Sequence, residues 1–382
     1  MDKKTDGLRT HPKTIARQLF LLSSLFLLLA MPLSVLGQSS KEPLKLGVAG
    51  LSHDHVHWIL GRPDLGDVEI VGIAEANKEL VARLAKHYGF SLDLVFDSLE
   101  EMIEEVQPQA VAAFGSVYDH LSVVEACAPK GVHVMVEKPL AVSMEHALKM
   151  KALAQKHAIH LLTNYETSWY ATNHKAYEMV QSQQLGDLRK IVVHDGHEGP
   201  KEIGVSKEFL EWLTDPILNG AGVLTDFGCY GANLITWLTK GDKPEAVMAL
   251  TQSIKPDIYP KVEDEATILL RYPKMQGIIQ ASWNWPFSRK DMEVYGSTGY
   301  LISENSADLR FRLKDHKIEQ RQTLNPLTDP YRDPFSLLVA VINNSITLED
   351  YDLPALENNM VVMEILEAAK ESARTGKWIY LE

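Results

Sequence analysis

An acid and a base stand side by side at Glu137 and Lys138, directly after the apolar residues 134–136 and directly before Pro139. A short apolar run of this kind reads as a strand of a parallel sheet, buried on both faces. Proline cannot donate to a strand ladder, so the strand must stop there. The pair is therefore expected at a strand's carboxyl end, where open α/β sheets bind ligands. Burial beside a cofactor would lower the lysine's pKa toward the range useful for taking a proton. A second constellation lies in the glycine-rich stretch 220–233, where Asp226, Tyr230 and Asn233 follow one another at helical spacing. Residues at i, i+4 and i+7 share a helix face. An acid and a phenol on a helix otherwise made of Val223, Leu224, Phe227, Leu234, Ile235 and Leu238 are odd for pure core, and a phenol near an ammonium can relay a proton. A helix edge turned to solvent is the plainer alternative.

A third group follows the first apolar run, residues 44–49. A nucleotide-binding turn uses glycines to bring backbone amides and a helix N-terminus to a diphosphate. Here only Gly50 remains, with Ser52 and His55 at the second and third glycine positions. Glu75 ends the next apolar run 25 residues later, where a carboxylate accepts ribose hydroxyls. No arginine follows it directly, which favours NAD over NADP. His53, His55 and His57 invite a metal reading. Alternate residues in a turn entering a helix need not converge, and no second His-x-His appears, so no metal is assigned. A turn histidine contacting cofactor or substrate is preferred.

The elements that must position these residues alternate at first. Apolar runs at 44–49, 68–75, 110–114, 132–136 and 159–163 are separated by helical patterns at 78–88, 99–106, 121–128 and 143–156. Strand–helix alternation predicts right-handed βαβ units and a parallel sheet. After residue 164 strand-like runs follow one another (188–194, 246–253, 266–272, 276–283, 291–295 and from 300), which predicts a mostly antiparallel sheet. Helices are expected at 223–238, 335–346 and 355–375. The fold class is thus α/β: a Rossmann domain over 44–163, then an α+β domain with an open, mostly antiparallel sheet over 164–382. The cleft between them is the default ligand site.

Composition bounds the rest. A chain of 382 residues has room for two cores. Lys3, Lys4, Arg9, Lys13 and Arg17 precede the apolar residues 19–36, which reads as a signal peptide cut near Gly37 and an exported, periplasmic protein. An uncleaved membrane anchor is the alternative. The first 37 residues carry five bases and two acids, so the remainder is three charges more acidic than the chain's −13. That excludes a nucleic-acid partner. Cys127 and Cys229 alone make no disulfide framework and read as inert core.

Taken together, Gly47-Val48-Ala49-Gly50, the run to His120, Glu137-Lys138-Pro139, the glycine-rich turn with Asp226, and the closing Glu357-Asn358-Asn359 and Ser372-Ala373-Arg374-Thr375-Gly376-Lys377 resemble the glucose-fructose oxidoreductase / inositol dehydrogenase / rhizopine-catabolism (Gfo/Idh/MocA) oxidoreductases over residues 44–380. The resemblance implies a tightly held NAD(P), sugar-like substrates and homo-oligomers formed through the outer face of the second sheet. It implies cofactor contacts at Gly50, Ser52, His53, Glu75, His120, Glu137 and Lys138. Lys138 would lie beside the nicotinamide, Asp226 would be the active-site acid, and Tyr230 would stand at the usual catalytic histidine. A phenol of pKa about 10 is a poor base, so Lys138 would have to lower it. Tyr165, His197 and Asn233 are assigned to the carbohydrate, and Trp169, His174, His194, Trp283 and Trp285 are further candidates for an aromatic cleft lining. Two departures stand out: the incomplete glycine turn, and export into a compartment poor in free NAD. Besides a sugar dehydrogenase, three readings fit the residues. They are a glycosidase using transient oxidation, elimination, addition and re-reduction; a non-catalytic sugar-binding protein; and a metal-dependent hydrolase using His53 and His55.

Overall fold

The computed structural model describes residues 42–381. The expected export segment, residues 1–37, lies outside the described residues. Strands β1 (Leu44–Ala49), β2 (Val68–Ala74), β3 (Val95–Phe96), β4 (Ala110–Ala113), β5 (His133–Glu137) and β6 (Leu161–Asn164) form one parallel sheet in the order β3-β2-β1-β4-β5-β6. The order reverses between β1 and β4, which opens a crevice at their carboxyl ends. Helices α1 (Lys78–Tyr88), α2 (Leu99–Val106), α3 (His120–Cys127) and α4 (Met144–His157) make the crossovers. Their starts follow local capping chemistry: Asn77 accepts from the Leu80 amide at 3.1 Å, Ser98 from Glu101 at 3.2 Å, and Ser143 from His146 at 3.3 Å. The two-residue β3 was not expected from the sequence; it is too short to carry a pattern.

Helix α5 (Ala171–Gln181) leads to β7 (Leu188–Gly196), the middle strand of a second sheet. Helix α6 (Lys207–Leu213) and α7 (Gly228–Leu238) precede β8 (Ala246–Gln252), β9 (Glu265–Arg271), β10 (Gln276–Ser282), β11 (Arg289–Gly296), β12 (Gly299–Ser303), β13 (Asp308–Leu313) and β14 (Gln320–Thr323). After α8 (Pro334–Ile342) and α9 (Leu356–Thr375), β15 (Ile379–Tyr380) closes the edge. The nine strands run β14-β13-β12-β11-β7-β10-β9-β8-β15, and only β7 with β10 is a parallel pair. Every residue of α7 is buried, because the helix lies between the sheet and α9. Cys127 and Cys229 are both free and buried; burial pushes the Cys127 thiol up to about 12 and the Cys229 thiol up as well. Among the described residues no helix is long and apolar enough to cross a membrane.

One boundary needs correction. The sequence assigned everything after residue 164 to the second domain, yet α8 packs on the first sheet. Phe335, Leu337, Leu338 and Val341 share a buried cluster with Leu46 and Val48 of β1 and Ala112 of β4. Arg62 pins the crossing: its guanidinium donates to both oxygens of Asp67 at 2.7 and 2.8 Å, to Asp333 at 3.1 Å and to the Ser336 hydroxyl at 3.0 Å. Helical periodicity reports that α8 has an apolar face, not which sheet that face meets.

Candidate active site

β5 ends at Glu137, and Lys138 enters the space between the two sheets with only 5% of its surface exposed. Its ammonium donates to the Asp226 carboxylate and, at 3.1 Å, to the Asp226 main-chain carbonyl. The other Asp226 carboxylate oxygen accepts from the Trp283 indole at 3.0 Å. Burial alone would pull Lys138 down, but the adjacent Asp226 carboxylate more than reverses this, and the lysine sits above its ordinary pKa. Burial likewise pushes Asp226 up, and Lys138 overrides it to hold the carboxyl below the usual range. The expectation of a lysine lowered by burial is thus corrected: it is an ammonium locked to a carboxylate.

Tyr230 is 1% exposed, and two ammonium groups lie near its ring: the Lys138 nitrogen is 5.2 Å from the ring centroid and the Lys290 nitrogen 5.1 Å. Burial nevertheless raises the phenol well above its ordinary pKa, so the lysine does not make it a base. Lys290, on β11, pairs with Glu166, whose other carboxylate oxygen accepts from the Tyr170 hydroxyl at 2.7 Å. Burial would raise Glu166, but Lys290 holds it at about 2. His197 completes this wall and is lowered by burial to about 4, leaving it neutral at neutral pH. These side chains surround a cleft of about 560 Å³, lined also by Asp54, His55, Phe209, Phe227 and Arg289. Sequence reading missed Lys290, Glu166 and the buried Asp195. None belongs to a motif; for Lys290 and Asp195 the available signal was a charge at an inward position of a strand otherwise alternating with apolar residues, and Glu166, in the turn after β6, carried none.

A second cavity of about 330 Å³ opens over the reversal of the first sheet, lined by Gly50, Ser52, Glu75, Asn77, Asp97, Ser98, Gly115 and His120. Gly50 has φ +78°, and a side chain there would meet the Gly115 amide at 2.8 Å. Only glycine suits both the left-handed backbone and the close approach of the β1 and β4 turns. Glu75 reaches back to this turn, accepting from the Leu51 amide at 2.9 Å and the Asn77 amide at 2.8 Å. A carboxylate at the end of β2, a glycine turn and the Ser52 hydroxyl fit a nucleotide. Helix α6 closes over the same turn: Glu208 lines the cavity, Arg83 donates to Glu208 at 2.7 Å, and the Ser206 amide donates to Asp54 at 3.0 Å. Phe209 and Trp212 lie on the His53 ring at centroid distances of 4.6 and 5.4 Å.

Donor atoms of His53, His55 and Glu137 come within 4.8 Å of one another. Their hydrogen bonds assign them another role. His53 Nδ1 accepts from the His55 amide at 3.0 Å, so its Nε2 carries the proton and offers no lone pair. His55 Nδ1 is 2.8 Å from Glu137, and Asn164 donates to the other Glu137 oxygen at 2.7 Å. The group wires the first turn to the end of β5. His57 instead contacts Tyr88. His120 Nδ1 donates to the Leu140 carbonyl at 3.1 Å, which fixes the chain just beyond Pro139.

Several expected substrate residues lie elsewhere. Asn233 is fully buried and donates to the Leu353 carbonyl at 2.8 Å, because Phe227 separates the helical turn Val223–Asp226 from α7 and the expected single face does not form. Tyr165 is fully buried with its ring edge-on to Tyr230, behind the cleft rather than lining it. His194 is on the opposite face of β7, beside Asp291 at 3.1 Å. His174 Nε2 donates to the Ser168 carbonyl at 2.8 Å, away from the cleft, and the Trp169 indole donates to Asn164 at 3.0 Å. Arg289 lies over the Trp285 ring at 5.7 Å.

Residues 44–165 match the pattern of an oxidoreductase family with an NAD-binding Rossmann fold, and residues 173–302 match the Gfo/Idh/MocA C-terminal domain. The chain belongs to the Gfo/Idh/MocA oxidoreductases. Its first domain is an NAD-binding Rossmann domain. Among relatives, a myo-inositol 2-dehydrogenase from Thermotoga maritima is 20% identical over 344 residues, covering 89% of this chain and 99% of that enzyme. A trans-1,2-dihydrobenzene-1,2-diol dehydrogenase from Xenopus tropicalis is 25% identical over 201 residues; the match covers 52% of this chain and just over half, 57%, of that enzyme. The crystal structure of aldose-aldose oxidoreductase from Caulobacter crescentus, complexed with glycerol, superposes with a TM-score of 0.74 at 21% identity, covering 89% of this chain and all of that one. That likeness concerns the fold.

Proposed function

We propose that this protein is an exported, NAD-dependent oxidoreductase that interconverts a secondary hydroxyl and a carbonyl on a polyol, sugar or glycoside. The observation that carries the reading is the Lys138–Asp226–Trp283 arrangement at the carboxyl end of β5, facing the polar cleft beside the nucleotide cavity. Gly50, Ser52, Glu75 and His120 would hold the cofactor, which when bound would supply or accept a hydride. Lys138 holds the proton at the reacting oxygen, Asp226 keeps it an ammonium, Trp283 fixes Asp226, and Tyr230 donates a second hydrogen bond. An ammonium at rest suits proton delivery to a carbonyl; in the oxidative direction the hydroxyl proton passes to Lys138 as the lysine gives one to a neighbouring carboxylate. His197 and Tyr170 are positioned to bind sugar hydroxyls. The relatives that act on myo-inositol and on dihydrodiols support a cyclic secondary alcohol as substrate class.

A second reading, glycoside cleavage through transient oxidation and re-reduction, is favoured by α6. With Glu208 in the nucleotide cavity and Phe209 and Trp212 over the first turn, cofactor exchange is hindered, and a cycle that regenerates its own cofactor needs none. The basic and apolar pattern of residues 3–36 supports export. Exposed Leu250 and Leu269 on the outer face of the second sheet support self-association there. The test is to purify the chain from about residue 38, denature it and assay released nucleotide. Polyols, free sugars and glycosides are then offered with NAD or NADP, following reduced nicotinamide and aglycone release together. Reduced nicotinamide alone supports the dehydrogenase. Aglycone without net reduction supports the second reading. No nucleotide bound or released refutes both.

A further inference from the structure

Asp195 is a buried carboxyl in this region that the roles above leave unused. It is 1% exposed, and neither carboxyl oxygen accepts a hydrogen bond. A buried unsatisfied acid needs a reason. The residue is next to Gly196 in the cleft wall, and across the sheet its Cα partner is Lys290. Directly opposed residues on neighbouring antiparallel strands share a face, so the carboxyl and Lys290 point to the same side. The charged groups facing it come from four elements: Lys290 from β11, Glu166 from the turn after β6, Lys138 from the end of β5 and Asp226 from the helical turn before α7. Around them stand Tyr170, His197, Cys229 and Tyr230 as neutral groups. Lys138 is matched by Asp226 and Lys290 by Glu166. Asp195 is therefore the odd acid between two balanced pairs, and an ionised Asp195 would set three carboxylates against two ammoniums.

We propose that Asp195 is a positioning residue for the acid–base step, a protonated carboxyl that restores the proton Lys138 gives up. This rests on the oxidoreductase reading above. In the reductive direction an N–H bond of Lys138 breaks as the substrate oxygen gains its O–H. The Asp195 O–H then breaks and the Lys138 N–H re-forms, the proton crossing by way of water in the cleft, because no hydrogen bond joins the two side chains directly. The resulting Asp195 carboxylate faces both ammonium groups, which stabilise it until it regains a proton from water in the cleft. The oxidative direction runs these transfers in reverse. Burial, reinforced by Glu166 and Asp226 against the two lysines, holds the resting carboxyl well above its ordinary pKa.

Asp195→Asn keeps the shape and the neutral charge but cannot release a proton. Two measurements test the proposal, both on the mature chain with its cofactor. The first is steady-state turnover, against pH, of whichever polyol or glycoside in the panel the wild type turns over fastest. The variant is expected to lose about 10²-fold in kcat, the low end for a positioned proton donor, with KM nearly unchanged and a flattened pH profile. The second is melting temperature against pH. A carboxyl whose folded pKa is raised contributes stability below its unfolded pKa of about 3.9 and loses it as pH rises toward the folded value. The wild type should therefore fall relative to the variant as pH rises from about 4. Wild-type kcat and pH profile in the variant, or a melting difference independent of pH, overturns the proposal alone. A wild type that binds no nucleotide and turns nothing over overturns it together with the reading beneath it.

Discussion

Replacing Asp226 by Asn isolates the pair on which the site rests. The change removes the charge that keeps Lys138 an ammonium while the lysine stays 5% exposed. It also presents an amide where the Trp283 indole now donates at 3.0 Å to a carboxylate oxygen. A contact ion pair at an effective dielectric of about 20 is worth about 4 kcal/mol, and removing one partner of a buried pair typically costs about 3–5 kcal/mol. We therefore expect Asp226→Asn to lose about 3–5 kcal/mol near neutral pH, a large share of a total of about 5–15 kcal/mol. The pH dependence identifies the cause. With its counter-charge gone, burial drags Lys138 below the unfolded value of about 10.4, so the unfolded state binds more protons and the variant gains stability as pH rises toward that value. In the wild type the opposite shifts of Lys138 and Asp226 leave the pair's contribution flat between them. It is lost only as pH falls through the lowered carboxyl or rises through the raised lysine. Urea unfolding followed by circular dichroism at about pH 7 and about pH 10 measures both effects, the second pH lying near the unfolded lysine pKa. A deficit below about 1 kcal/mol, or one that does not shrink with pH, would refute a buried Lys138–Asp226 pair.

Other consequences are more local. Tyr230→Phe should lower kcat by about 10²-fold with little change in KM, and an alkaline limb in the pH–rate profile should survive it, because the wild-type phenol is already raised by burial. Glu75→Ala removes the acceptor of the Leu51 and Asn77 amides and should weaken NAD binding at least about tenfold by calorimetry, given about 1.5–3 kcal/mol for each hydrogen bond to a charged group. Gly50→Ala adds a Cβ 2.8 Å from the Gly115 amide at φ +78°; it should cost more than the about 1–2 kcal/mol of the left-handed backbone alone, and abolish nucleotide retention on gel filtration.

The first domain was legible because every strand but the two-residue β3 carries its own apolar run and three of the four crossover helices begin at a side-chain cap. Pro139 marked the end of β5 for a reason intrinsic to proline. The second sheet was legible as a succession of strands but not as an order, since placing β7 beside both β10 and β11 depends on contacts some 90 residues apart in sequence that leave no local signal. At the site, the motif residues Lys138 and Asp226 could be named in advance, but their protonation could not. Burial without a partner lowers a lysine and burial against Asp226 raises it, and only the fold decides between them. Lys290, Glu166 and Asp195 come from three separate elements and meet only in three dimensions. Asn233 misled because the turn at Phe227 breaks the helical register that placed it beside Asp226.

The return of α8 to the first sheet bears on how this protein could be taken apart or recombined. A fragment ending near residue 165 holds all six parallel strands, the glycine turn and Lys138. It would nonetheless expose the face that Phe335, Leu337, Leu338 and Val341 cover. At about 1.5–3 kcal/mol for each large apolar side chain buried, four of them amount to roughly 6–12 kcal/mol, as much as a whole domain's stability. The nucleotide-binding half is therefore not a cassette that a single crossover can transplant. A working graft must carry two separated stretches of chain, with Arg62 on one and Asp333 on the other.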